Sequence, residues 1–383
     1  RAAADAPLAQ APRWRSLGPA SMSGRIVDLA VDPGRKAVWY VATASGGLFK
    51  TENAGTSWAP VFDHARVLSL GAVAVAPSDP RTVWVGTGEA NARNSVSWGD
   101  GVHVSRDGGK TWRHAGLQAA FQIGRIAVHP QDPNTAYVAA CGRLWGPNPE
   151  RGLYRTRDGG ASWVQVLKVD ERTGAVDVAL HPAYPDQLIA ATWERARDEF
   201  DGNDPSARWG PGSGLWKSID AGDSWRRLGA GLPTVAMGRI GLTVAAREPW
   251  TVYAGIETER IGWAAGDARV AARPSASRET GGASSRGRGE RPAGFEGMLG
   301  GQLENVQERQ GPLGFECGGV FRSDDFGESW RRVNSLNPRP FYYSQIRVDP
   351  ADPERVYVLG INYYSSADGG RSFEQARGHD LHP

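Results

Sequence analysis

The sequence predicts an all-β fold, a β-propeller of four-stranded antiparallel blades, from three observations. They are a recurring eight-residue box, a strand–turn–strand unit ahead of each box, and 50 glycines, 25 prolines and 15 tryptophans among 383 residues. Many short strands joined by frequent turns use residues in this way. Self-similarity at a spacing of roughly 50 residues marks a repeat architecture.

The box reads Ser/Thr-x-Asp-x-Gly-x-Ser/Thr-Trp and occurs six times. The copies are TENAGTSW (Thr51 to Trp58), SRDGGKTW (Ser105 to Trp112), TRDGGASW (Thr156 to Trp163), SIDAGDSW (Ser218 to Trp225), SDDFGESW (Ser323 to Trp330) and SADGGRSF (Ser366 to Phe373). Asn53 stands for the aspartate in the first copy and Phe373 for the tryptophan in the last. An Asp or Asn in a tight turn accepts hydrogen bonds from nearby backbone N–H groups. The glycine supplies a positive φ, and the closing tryptophan is expected to bury its ring between neighbouring sheets. Asn53, Asp107, Asp158, Asp220, Asp324 beside Asp325, and Asp368 are therefore read as hairpin staples rather than catalytic acids.

Ahead of the boxes run GAVAVAPSDPRTVWVGT (71–87), GRIAVHPQDPNTAYVAA (124–140) and SQIRVDPADPERVYVLG (344–360), with looser copies near Asp28, Asp177 and Gly241. Each is an alternating strand, a Pro-containing turn and a second β-branched or aromatic strand. A third strand leads into the box, as in GLFKT or GLYRT, and a fourth follows, as in SWVQVLKV. That is a propeller blade. Trp14 to Gly18 (WRSLG) resembles the fourth strand Trp225 to Gly229 (WRRLG) but lacks three strands of its own. The expectation is six visible blades in a propeller of seven or more, with residues 12–383 incomplete at the C-terminus; the alternative is a six-bladed ring with an additional edge strand. Residues 1–11 read as a leader, since Leu8 to Ala11 resembles the small-residue end of a secretory signal. Residues of about 264–316, rich in Gly, Ser, Arg and Glu, read as a disordered insert.

A net charge of +2 gives no global electrostatic case for nucleic acid. No apolar run approaches the ~18–20 residues needed to cross a bilayer. Two cysteines, Cys141 and Cys317, do not make a disulfide scaffold. The seven histidines have no zinc-like spacing, and His129 and His181 fall in short turns as caps. Asp198, Asp201, Asn203 and Asp204 are oxygen-rich but lack a full calcium-loop pattern. No metal and no cofactor is read.

In a four-stranded meander the 1–2 and 3–4 turns share one face, and the 2–3 and 4–1 loops share the other. The boxes are 3–4 turns. The long insertions, Glu89 to Asp100, Gly142 to Arg151, Trp193 to Gly214 and Glu257 to Gly318, all follow second strands. Long loops gathered on one face of a rigid scaffold carry function. Asn91, Trp98, Arg143, Trp145, Trp193, Arg195, Trp209 and Tyr342 are the candidate ligand contacts, a mixture that suits a sugar or peptide surface. Glu89, Glu194 and Glu257 are weak candidates for a hydrolytic pair, which needs carboxylates about 5–10 Å apart.

The segments CGRLWGPNPERGLYRTRDGGASW (141–163), VDERTGAVDVALHP (169–182), GPGSGLWKS (210–218) and RPFYYSQIRVDPADPERVYVLG (339–360) resemble the bacterial sortilin-type, BNR (Asp-box) propeller proteins, often labelled glycosyl hydrolases. The resemblance implies an exported protein continuing into further repeats. Xyloglucan-hydrolysing propellers carry a first-blade aspartate in a Thr-Asp-x-Gly-Gly context. Here Thr43-Ala44-Ser45-Gly46-Gly47 has alanine in that place. Sialidases carry Arg-Ile-Pro, whereas Arg25-Ile26, Arg125-Ile126 and Arg239-Ile240 continue into Val27, Ala127 and Gly241. The leading expectation is an exported binding propeller for a peptide, protein or glycan. The alternative is a polysaccharide-active glycoside hydrolase with carboxylates on the same face.

Overall fold

A computed structural model describes residues 25–92, 96–197, 205–260, 295–296, 301–360 and 362–376. Six four-stranded antiparallel sheets follow one another along the chain, each a simple meander. The first runs Ile26–Val31, Trp39–Thr43, Leu48–Thr51 and Ala59–Pro60. The innermost strands of blades 2 to 6 are Leu70–Val75, Ile123–Val128, Thr173–Leu180, Met237–Val244 and Gln345–Val348, and each packs beside its predecessor. The second strands, such as Val83–Thr87 and Ala136–Ala140, are buried along their whole length because neighbouring sheets cover both faces. The outermost strands, such as Arg113–His114 and Arg226–Arg227, are two exposed polar residues long. Short charged edges of this kind discourage pairing with other chains.

A charged network sits where the inner strands converge. Arg125 of blade 3 bonds Asp28 of blade 1 at 3.2 Å and Asp177 of blade 4 at 2.9 Å. Asp28 also accepts the Val73 N–H of blade 2, and Asp177 accepts the Leu242 N–H of blade 5. Arg347 of blade 6 lies 3.8 Å from Asp28. Both aspartates follow a β-bulge in their strands, a device that re-aims a side chain. Five inter-blade connections thus pass through two buried carboxylates.

The six boxes adopt one geometry. The first hydroxyl donates to the third-residue Oδ1 at 2.7–2.9 Å and accepts the fifth-residue N–H at 2.7–2.9 Å. The seventh N–H donates to the same Oδ1 at 2.9 Å. In box 1 the Asn53 amide reverses the remaining bond and donates to Ser57 Oγ. In the fifth box Asp325 is the staple; Asp324 instead pairs with Arg322 and Arg331. Two successive residues, not the glycine alone, have positive φ, and the first of them is Ala54, Ala221 or Phe326 in three boxes. That residue's N–H reaches the 1–2 turn of its own blade in every case, from Ala54 to the Ala37 carbonyl through Gly369 to the Glu354 carbonyl. The closing rings vary more than expected: Trp330 and Phe373 are buried, Trp112 and Trp163 bond carbonyls of the preceding blade, and Trp58 is exposed.

His129 and His181 cap their turns, each Nδ1 accepting two backbone N–H groups. No disulfide joins Cys141 to Cys317, both of which are buried. Part of the expected disordered insert is folded. Residues 301–317 carry a short strand and 3-10 turns tied to Asn334, Ser335 and Thr234. The polar composition misled because these residues bond the propeller rim rather than bury a core of their own. Apart from the strand Phe295–Glu296, which pairs with Gly301–Gln302, the rest of the insert, the leader, Trp14 to Gly18, and Asp198, Glu199, Asp201, Asn203 and Asp204 lie outside the described residues.

Candidate functional site

The long-loop face is built on arginines. Second strands that end two residues before Glu89, at Glu194 and one residue after Glu257 deliver carboxylates to this face, but guanidinium and N–H groups occupy them. Glu89 is fully buried and takes both Nε and Nη2 of Arg25. Glu257 takes Nε and Nη2 of Arg208 at 2.9 and 2.5 Å and the Arg239 N–H at 3.1 Å. Burial pushes the Glu257 carboxyl up, against the pull of Arg208. Glu194 accepts the Gly212 N–H and lies 3.5 Å from Arg172, with its side chain 13% exposed. The first two are structural ion pairs. Only Glu194 retains any access.

The predicted ligand contacts divide. Trp193 is buried between Arg195 and Arg239, its indole N–H donating to the Arg208 carbonyl. Arg195 donates to the Ala90 and Gly142 carbonyls, and Arg239 to Asn91 Oδ1 and to the Tyr342 carbonyl. Arg197 donates to the Ala92 carbonyl. These bonds draw the blade 2 loop onto blades 4 and 5. Trp193, Arg195 and Tyr342 are buried within this set of bonds, and Asn91 and Trp209 are half-buried beside them. Sequence alone could not separate a loop clamp from a ligand contact, since both want arginine and tryptophan.

Trp98 and Arg143 remain accessible, and Trp145 is half-buried against the core. Trp98 is 59% exposed and stands edge-on to Phe121, with ring centroids 5.6 Å apart. Arg143 lies over the Phe121 ring at 5.1 Å. Phe121 was not anticipated. It follows a 3-10 turn, Gln118–Ala120, in the 4–1 loop of blade 2, and its φ of 57° is costly for an aromatic residue. Strain of this kind is a pointer to function. The signal available was a lone aromatic just before the third inner strand. Trp98 also walls a shallow groove of about 240 Å³ with Ser45, Val67, Leu68, Ser69 and Ser97. Ala44 is buried behind Ser45 and donates its N–H to the Arg25 carbonyl.

These features define an Asp-box propeller with an aromatic groove on its long-loop rim. A family model described as sortilin, neurotensin receptor 3, matches residues 100–244, which bears out the sortilin-type resemblance over that stretch. A xyloglucanase of a Paenibacillus species is 26% identical over 169 residues, 40% of this chain and 15% of that protein. A xyloglucanase of Hypocrea jecorina is 28% identical over 170 residues, 40% of this chain and 19% of that protein. Among solved structures, the Niastella koreensis GH74 enzyme superposes with a TM-score of 0.57 at 17% identity, covering 91% of this chain and 46% of that one. An ancestral GH74 enzyme gives 0.59 at 17% identity, covering 97% and 41%. The chain thus spans less than half of each of these proteins. The structural matches establish the propeller fold. No helix among the described residues is long and apolar enough to cross a membrane.

Proposed function

We propose that this chain is the propeller part of an exported, polysaccharide-active protein of the glycoside hydrolase class, and that its rim groove holds a β-linked glycan such as xyloglucan. The carrying observation is Trp98, a large apolar ring left in solvent beside Ser45, Ser69 and Ser97. An exposed aromatic face covers the apolar face of a sugar ring, while the exposed Ser45 and Ser97 hydroxyls and Arg143 offer hydrogen bonds. The relatives named xyloglucanases move the reading from the peptide or protein partners of the sequence expectation toward glycan. The stretch Thr43 to Gly47, aligned by resemblance with the first-blade acid of such enzymes, meets this groove through Ser45.

Hydrolysis by this chain itself is the second reading, favoured by the same relatives. It needs carboxylates, and Glu194 is the one sequence candidate with access. Reducing-sugar release from xyloglucan by the 383-residue chain, with and without Glu194→Gln, tests this. Release abolished by Glu194→Gln assigns catalysis here. Binding without release leaves the groove as a glycan-holding surface, and neither binding nor release contradicts the proposal.

A further inference from the structure

We propose that Asp100, His103 and His114 form a site for a divalent transition metal, zinc by preference, on the flank of blade 2. In sequence the two histidines are eleven residues apart with the Ser105–Trp112 box between them, a spacing that resembles no zinc motif. The hairpin removes that separation. His103 lies on the third strand, Val102–Ser105, and His114 on the fourth, Arg113–His114, and they are direct cross-strand partners. Such partners project from the same side of the sheet. Their rings meet edge to face with centroids 5.0 Å apart. Asp100, just before the third strand, brings Oδ1 to 2.9 Å from His103 Nε2. One ligand atom from each residue falls within 4.8 Å of the others, which makes this a compact three-donor cluster.

The surroundings fit a built site. Phe62 packs edge-on against His103 at 5.1 Å and fixes the ring plane. Thr87 Oγ1 accepts the Asp100 N–H at 2.8 Å and donates to the Gly101 carbonyl at 2.7 Å, which pins the backbone that carries the Asp100 carboxylate. Partners behind the ligands set their orientation and tune affinity in known metal sites. Two imidazoles with one carboxylate suit zinc or a neighbouring first-row ion and leave a fourth position open. All three residues line one cleft of about 970 Å³ between blades 1 and 2, shared with Arg66, Lys110 and Gln118. The open position therefore has room for water or an anionic group. This inference stands apart from the glycan groove, so the two can fail separately.

The test is equilibrium dialysis of the chelator-stripped 383-residue chain against zinc, followed by the visible absorption of the cobalt form. The expected result is one zinc per chain, four-coordinate cobalt bands, and an affinity at least tenfold weaker in His114→Ala. His114 is exposed, so its removal leaves the fold intact, and an unchanged melting temperature checks this. Asp100→Asn gives a second arm, keeping the shape while weakening one ligand. No stoichiometric zinc uptake by the unmodified chain, or equal uptake by His114→Ala, overturns the proposal.

Discussion

The two faces of this propeller are held together by opposite means. On the box face, each turn closes on itself through hydrogen bonds two to four residues apart in sequence, as from Ser105 to Asp107 and from Thr111 to Asp107. On the long-loop face the clamps join residues far apart. Arg239 reaches Asn91 across 148 positions, and Arg195 reaches Ala90 across 105. The box face repeats six times and varies little, whereas on the other face the blade 2 loop alone is held by Arg195, Arg197 and Arg239 from two other blades. Local closure makes a scaffold that tolerates variation above it. Long-range closure lets each loop take its own shape, and the blade 2 loop leaves Trp98 in the open, edge-on to the half-buried Phe121.

The comparison is broken most severely at the axis, where both faces depend on the same two aspartates. Arg125→Ala leaves Asp28 and Asp177 buried with one cation fewer, and removal of one partner from such a network costs about 3–5 kcal/mol. Chemical denaturation is expected to show that loss in one cooperative transition. A loss confined to blade 3 contradicts the shared-hub account.

Single boxes should matter much less. Asp107→Ala removes the acceptor for Thr111 and Ser105 and is expected to cost about 1 kcal/mol. The Thr111 hydroxyl and N–H, ahead of the small opposing effect of burial, hold the Asp107 carboxyl down at about 2. Its folded value is thus below the unfolded value of about 3.9. The stabilisation it adds is present above about pH 4 and fades as the pH falls toward 2. Asp107→Asn is expected to flatten that part of the acid limb in a plot of denaturation midpoint against pH, while Asn53→Asp in box 1 steepens it. The smallest effect is expected at Ala54, an exposed residue held at φ 55°. Ala54→Gly relieves that conformation and should raise stability by about 0.5–1 kcal/mol in the same assay.

The contrast also explains what could be read from the sequence. The six blades of this stretch, their strand order and the box staples were legible, because a local turn writes its hydrogen-bonding residues within eight positions. The face bearing the long loops was legible too, since insertions mark it directly. The division of that face was not. Trp193 and Trp98 look alike in sequence, and only the fold reveals that Arg195 and Arg239 enclose one while the other stands in solvent. Glu89 and Glu257 looked available for chemistry because their partners Arg25 and Arg208 lie 64 and 49 residues away. Phe121 carries no mark except its place before a strand. The pairing of His103 with His114 was hidden by the very box that brings them together.

The most direct measurement of the central claim is affinity electrophoresis of the 383-residue chain through gels containing xyloglucan, comparing Trp98→Ala with Trp58→Ala. Both tryptophans are exposed, at 59% and 42%, but Trp98 stands on the long-loop rim and Trp58 in a box. The account predicts retardation of the unmodified chain and of Trp58→Ala, with at least a tenfold weaker interaction for Trp98→Ala. Equal retardation of all three, or loss through Trp58→Ala alone, would contradict it.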